Sequence, residues 1–257
     1  MKDENILVSG VIQYTMPIIK LTIGDIKPEF QDIVNESKKN SSLKFAEEYI
    51  LNFEKALNLL GIPISDKKII EIGLLDFYLK PNEFEISKKI EKELKDFSSK
   101  TLISVDPMTY GLLMMKREIL KKYKITVVPV VDVILEKLRT RSITKISKKI
   151  TLHEPCWYAR WTDKITELNE IMKITCENFI KSRYHGVLSV CCGALLGLTN
   201  PKMAIPAGKE ALNILKLSGA DTIVTACPIC YVFFKKISDK LVIMDLSELL
   251  LQALGEK

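Results

Sequence analysis

The sequence predicts an α/β fold of two tandem, pseudo-symmetric modules with mostly parallel sheets, and three observations carry that expectation. Strand-like apolar runs alternate with amphipathic helical stretches along the 257 residues, as in sheets whose strands are joined by helices. Five of the six cysteines fall at matched intervals, with 34 residues between Cys156 and Cys191 and 34 between Cys192 and Cys227. That length suits one helix, its loops and a return strand, so each interval brings the chain back to the same edge of a domain. The first half repeats the second: Val105-Asp106-Pro107-Met108-Thr109-Tyr110 aligns with Ala226-Cys227-Pro228-Ile229-Cys230-Tyr231, keeping Pro and Tyr where Asp and Thr replace the thiols.

The chain opens on a predicted strand, Ile6 to Val11, ending in Gly10-Val11. Between Lys44 and Leu59 the spacing of Phe45, Tyr49, Leu51, Phe53, Ala56 and Leu59 predicts a helix, ended by Gly61-Ile62-Pro63. Ile69-Ile70-Glu71-Ile72 reads as a strand. Residues 82–97 read as an amphipathic helix with Asn82 as N-cap and Phe84, Ile86, Ile90, Leu94 and Phe97 as its buried stripe. Leu102 to Val105 is the next strand. The same order returns as a helix over 164–181, a strand over 187–190, a helix over 206–217 closed by Gly219, and a strand over 222–225. Val130 to Leu135 and Asp245 to Leu250 close the two halves in like manner. Residues 139–150 are polar and basic and form the expected linker, giving a first module at 1–140 and a second at 150–257.

An apolar content of 47% supports a sizeable core. No uninterrupted apolar run approaches the roughly 20 residues of a membrane span, and Met1-Lys2-Asp3-Glu4 is too charged to begin a signal peptide. A soluble, cytoplasmic protein with reduced thiols is therefore expected. The adjacent pair Cys191-Cys192 is a poor disulfide. The net charge of +6 comes from lysine clusters such as Lys38-Lys39, Lys121-Lys122, Lys148-Lys149 and Lys235-Lys236. They read as solvated faces, or more sharply as a basic face for an acidic partner. No interleaving of aromatic and basic residues points to nucleic acid.

The cysteines carry the chemistry. Four thiolates suffice for tetrahedral zinc or a cubane 4Fe-4S cluster, but Cys156, Cys191, Cys192, Cys227 and Cys230 make five. In an α/β layer, Cys156, Cys191-Cys192 and Cys227 each follow a strand and sit at the carboxyl edge of the sheet. Cys230 lies in the first turn of a helix starting after Pro228, whose positive end favours an anionic centre. Gly193 removes a side chain where the backbone approaches the metal. A thioredoxin-like dithiol is disfavoured because that motif's βα setting near the N-terminus is absent. Cys176, on the apolar face of the predicted helix over 164–181, reads as a small buried hydrophobe.

His153-Glu154-Pro155-Cys156, Cys191-Cys192-Gly193 and Cys227-Pro228-Ile229-Cys230-Tyr231 resemble the cysteine-rich CCG domain found in heterodisulfide reductase. Related components of archaeal succinate dehydrogenase, glycolate oxidase and lactate-utilisation complexes carry the same domain. The likeness is specific within residues 151–231. It implies a non-cubane 4Fe-4S cluster on the five cysteines, an oxidoreductase subunit acting on a disulfide or other sulfur substrate, and work inside a complex. The partners implied are an iron-sulfur subunit, like the one that accompanies the CCG-bearing subunit of heterodisulfide reductase, and a flavin subunit. Zinc on four of the cysteines, in a scaffold subunit, is the alternative cofactor reading. An electron-transfer or docking subunit of a succinate dehydrogenase or hydroxy-acid oxidase complex is the alternative role.

His153 has two readings, a hydrogen-bond or proton donor at the cluster, or a pin for the loop. Trp157 stands where many family members have His, which removes a titratable group from the pocket rim, and Trp161, Tyr158 and Tyr231 are candidate walls against water. In the first half Val11, Glu71, Ile72, Asp106 and Thr109 occupy the ligand positions, so that half reads as a degenerate CCG module. Glu71, Asp106 and Thr109 are its candidate polar pocket.

Overall fold

The structure is a computed structural model that describes residues 4–27, 29–79 and 81–256. Two four-stranded sheets form, and every strand pair in both is parallel. The first holds β1 (Asn5–Ser9), β2 (Asp66–Ile69), β3 (Thr101–Ser104) and β4 (Thr126–Pro129) in the order β2-β1-β3-β4. The second holds β5 (Ile146–His153), β6 (Cys176–Phe179), β7 (Thr222–Thr225) and β8 (Val242–Asp245) in the order β6-β5-β7-β8. Position for position the order is the same, which makes the two α/β units tandem copies of one topology. Leu7 and Val8 in β1 and Ile223 and Val224 in β7 are fully buried, as expected where helices cover both faces of a parallel sheet.

The helices are α1 (Ile12–Ile23), α2 (Phe30–Ser37), α3 (Asn40–Leu59), α4 (Leu74–Leu79), α5 (Glu83–Leu94), α6 (Pro107–Met114), α7 (Arg117–Lys122), α8 (Val130–Leu138), α9 (Ile165–Thr175), α10 (Pro201–Lys216), α11 (Pro228–Ile237) and α12 (Leu246–Ala253). Two contacts between the halves are reciprocal: α8 packs on α9, and α3 packs on α12. Each joins the last helix before a unit's second strand to the closing helix of the other unit. The Tyr49 hydroxyl of α3 donates to Asp245 Oδ2 at 3.0 Å, and Lys164 Nζ donates to Asp132 Oδ2 in α8 at 2.9 Å. Helix α1 also crosses to pack on α10 and α11. Both hydrophobic cores consequently draw on both halves, one holding Val8 with Phe233 and the other Leu7 with Val224.

Several boundaries differ from the sequence reading. The strand expected at 69–72 lies at Asp66–Ile69 and is exposed throughout; Ile70 and Ile72 leave the edge and enter the core. The helix expected over 164–181 stops at Thr175, and Cys176 opens β6. Residues 187–190 form no strand, because β6 already occupies the edge of β5, and a 3-10 turn covers Gly186–Leu188. Helix α10 begins at Pro201, where Pro is tolerated at a first turn. Strand β5 starts inside the expected linker, at Ile146. Met1 to Asp3, used in judging the leader, lie outside the described residues. No helix among the described residues is long and apolar enough to cross a membrane.

Candidate metal centre

Two of the three cysteine-bearing turns are built as the sequence implies. Strand β5 ends at His153 and reaches Cys156 through Glu154-Pro155; strand β7 ends at Thr225 and reaches Cys227, the N-cap of α11. Registered beside each other, His153 and Thr225 bring these turns together at the carboxyl edge of the sheet. Pro228 takes the first position of α11, where its missing N–H costs nothing, and Cys230 follows in the first turn. The Cys191-Cys192 pair arrives differently, from the loop that follows β6 and its 3-10 turn rather than from a strand end. That loop is anchored at two points. Glu154, which is buried, accepts from the backbone N–H of Gly186 and from Asn169 Nδ2 at 2.9 Å, and Arg160 Nη1 donates to the Ser189 carbonyl at 2.8 Å and the Val187 carbonyl at 3.3 Å. Glu154 thus does the pinning considered for His153. Glu154 belongs to the His153-Glu154-Pro155-Cys156 motif, but nothing there signals an anchor for a later loop, and Arg160 carries no signal beyond its charge near the first cysteine.

All five motif cysteines meet. Cys156, Cys191, Cys192, Cys227 and Cys230 lie near enough to perturb one another's titration, and Cys230 Sγ donates to Cys192 Sγ at 3.2 Å. Cys176 is apart, buried in the other core beside Thr175. The Cys191 thiol is held far below its ordinary value, chiefly by hydrogen bonds from Cys156 and Cys192. Those two donors are pushed up by giving their protons to it, and Cys230 is pushed up by its bonds with Cys192 and Cys227. Around one such thiolate, its crowded neighbours Cys156, Cys192 and Cys230 keep their protons unless a cation among them offsets the repulsion of further thiolates.

The His153 side chain supplies a second sign. It is 1% exposed, neither ring nitrogen has a hydrogen-bond partner among the described residues, and Phe234 meets it edge-on with centroids 4.8 Å apart. Burial holds the imidazole neutral, its pKa falling to about 4. A ring nitrogen of His153 and the sulfurs of Cys192 and Cys230 lie within 4.8 Å of one another. A buried polar group left without a partner costs about 1–3 kcal/mol, and the groups nearest this ring are the Cys192 and Cys230 thiols. Five thiols with one imidazole fit a thiophilic metal centre.

The other expected neighbours have different tasks. Gly193 has φ +81°, and a Cβ there would lie 2.9 Å from the Ala207 Cβ and 3.2 Å from the Ala204 carbonyl. The close approach it permits is to α10, while its N–H donates to Cys191 Sγ at 3.5 Å. Trp157 is 2% exposed and sits between the halves, with Nε1 donating to the Tyr78 hydroxyl at 3.0 Å and its ring stacked on Trp161; it is no pocket rim. Tyr158 is fully buried. Tyr231 turns away from the thiols and donates to Glu248 Oε1 at 2.8 Å.

In the first half the same positions are closed. Asp106 caps α6 and is fully buried, accepting from Ser9 Oγ and Thr109 Oγ1 at 2.7 Å each, Thr109 N at 2.8 Å and Met108 N at 3.1 Å. Thr109 Oγ1 in turn accepts from Gly10 N at 2.8 Å. Val11 and Ile72 fill the remaining space, a Cβ on Gly10 falling 2.4 Å from Ile72. Glu71 stands apart from Asp106, bonded by the Tyr14 hydroxyl and by Gly73 N at 2.7 Å. Glu71, Asp106 and Thr109 therefore line no common pocket.

Two parallel-sheet units with a cluster of thiols at the edge of the second make up the fold and site, and comparison with known proteins adds to this. Residues 150–235 match the cysteine-rich CCG domain. An uncharacterized iron-sulfur protein of Methanococcus maripaludis is 25% identical over 157 residues, 60% of this chain and 31% of that protein. A hypothetical protein from Helicobacter pylori superposes with a TM-score of 0.63 at 13% identity, over 100% of this chain and 50% of its own, a likeness of fold alone. The chain thus spans a third to a half of the proteins it matches.

Proposed function

We propose that the chain is a redox subunit resembling the CCG-bearing subunit of heterodisulfide reductase. In this reading a single 4Fe-4S centre is held by Cys156, Cys191, Cys192, Cys227 and Cys230, and the chain works on a disulfide or other sulfur substrate in a multi-subunit complex. The observation that carries this reading is the gathering of five thiols in one place, with Cys192 and Cys230 in contact and His153 beside them. Zinc needs four thiolates and would leave the fifth crowded and unused, whereas the Methanococcus relative is named as an iron-sulfur protein. Such a centre, when bound, supplies or accepts single electrons. The chain's own contribution is to fix the thiols by the Pro228 turn and the Glu154 and Arg160 anchors, and to keep water from Cys192, Cys227 and Cys230, which are buried. His153 is placed to donate a hydrogen bond to a sulfur of the centre.

The first half, residues 1–140, serves in this proposal as a degenerate CCG module and the second, 150–257, as the functional one. Reduction of a disulfide consumes two electrons and two protons and releases two thiols. With one centre, the second electron has to come from a partner, which makes an iron-sulfur subunit and a flavin subunit the expected company. Cys191 is exposed, and the loops beside it present Trp161, Val187 and Leu188, which are 57%, 70% and 71% exposed. That face is our choice for the partner. Anaerobic purification from the source cells followed by reduction of the bound centre through the co-purifying subunits tests this. Recovery as a monomer that reduces disulfides efficiently from an artificial donor would overturn the requirement for a complex.

A further inference from the structure

A second site lies on the opposite flank of α11. Between α1 and α3 of the first half and α11 and α12 of the second is a cleft of about 470 Å³, within the roughly 300–1,000 Å³ typical of small-molecule sites. It opens where β8 ends, at the carboxyl edge of the second sheet, and the first half closes it. Its charges are arranged. Lys235 Nζ is fixed by donating to the Tyr231 hydroxyl at 2.7 Å, and that hydroxyl is fixed by donating to Glu248. Lys236 and Asn52 line the cleft without a hydrogen bond or ion pair among the described residues. Across from them, Glu48 is exposed at the rim and touches only Lys44, at 3.8 Å. Phe45 and Val232 supply an apolar wall.

We propose that this cleft binds a small zwitterion of the α-amino acid type. The carboxylate meets Lys235, Lys236 and the Asn52 amide, the ammonium meets Glu48, and the side chain lies on Phe45 and Val232. Two cations opposite the free carboxylate of Glu48 complement a ligand that carries both charges, while a simple anion would meet that carboxylate unfavourably. Asp245 is committed to capping α12 through Ser247 N and Oγ and to the Tyr49 hydroxyl, and Glu248 accepts from Asp245 N at 2.9 Å and from the Tyr231 hydroxyl, so neither is counted among the free charges. The site is independent of the metal reading.

The test is calorimetric titration of the full chain, metal-free and metal-loaded, with the standard L-amino acids as probes. For the tightest binder, its N-acetyl derivative and its decarboxylated amine are titrated next, followed by Lys236→Gln and Lys235→Gln. At least one amino acid is expected to bind both forms of the protein. Each derivative, and each variant, should weaken that binding about tenfold or more, because each removes one charge-assisted contact, and Lys236→Gln should leave Tm unchanged. Binding by none of the amino acids overturns the proposal. So does equal affinity for the N-acetyl derivative, or undiminished binding by both lysine variants.

Discussion

Glu71 and Cys191 do the same structural task with different atoms. Each takes the N–H of a left-handed glycine two residues on, Gly73 at φ +68° and Gly193 at φ +81°. Asp106 and Cys227 likewise both stand at the N-cap of the helix that follows the third strand of their unit. In the proposed reading the first half keeps the turns of a thiol site and closes it with carboxylate hydrogen bonds, so its residues should report on stability and those of the second on metal. Cys191→Ala or Cys192→Ala should lose iron and visible absorbance, and Cys176→Ala should keep both. Asp106→Ala strands two hydroxyls and two backbone N–H groups in the core, and should lower unfolding free energy by about 3 kcal/mol or more, measured in urea, while metal content per folded chain stays the same. Burial raises the Asp245 carboxyl to about 7. Because the folded state then holds a proton that the unfolded chain has released, this group's stabilisation is present below about pH 4 and is lost as pH rises toward 7. Its contribution is a few kcal/mol at most, and Asp245→Asn, which still caps α12, should flatten urea unfolding free energy between those two pH values.

At the scale of elements, the turns were legible and the edges were not. Strand β7 falls on the four residues expected, because Thr222-Ile223-Val224-Thr225 is central and β-branched. The α5 helix opens as read, Asn82 Oδ1 accepting from Glu85 N. The misreadings cluster where burial and propensity part. Lys67 and Lys68 sit in an exposed edge strand that no apolar run marks, while the neighbouring Ile70 and Ile72 turn inward. Val187 and Leu188 look like strand residues and are instead largely exposed in a loop. Helical periodicity through Met172 hides the change to strand at Cys176. Hence the five ligand candidates were legible from spacing, whereas the anchors Glu154 and Arg160 were not, since each acts on a loop far along the chain. Gly111→Ala probes the element-level packing: its Cβ would fall 2.5 Å from Trp157 Cε3. It should cost about 1–3 kcal/mol and lower the Tm, while Trp157→Leu in the same background should recover part of the loss.

Across the whole molecule the repeat is visible in the common strand order, and the two halves are not separable. Each core mixes residues of both, and the reciprocal contacts of α3 with α12 and α8 with α9 bury apolar faces that neither half covers alone. A fragment beginning at residue 142 should therefore bind a hydrophobic dye and unfold without a cooperative transition, even though it contains all the thiols.

Five thiols on one iron-sulfur centre are what the redox role depends on, and iron and acid-labile sulfide analysis of anaerobically purified full-length protein tests this most directly. The expected result is iron and sulfide in equal amounts, about four of each per chain for a 4Fe-4S centre. One zinc per chain without sulfide, or a full iron complement retained in both Cys191→Ala and Cys192→Ala, would contradict it.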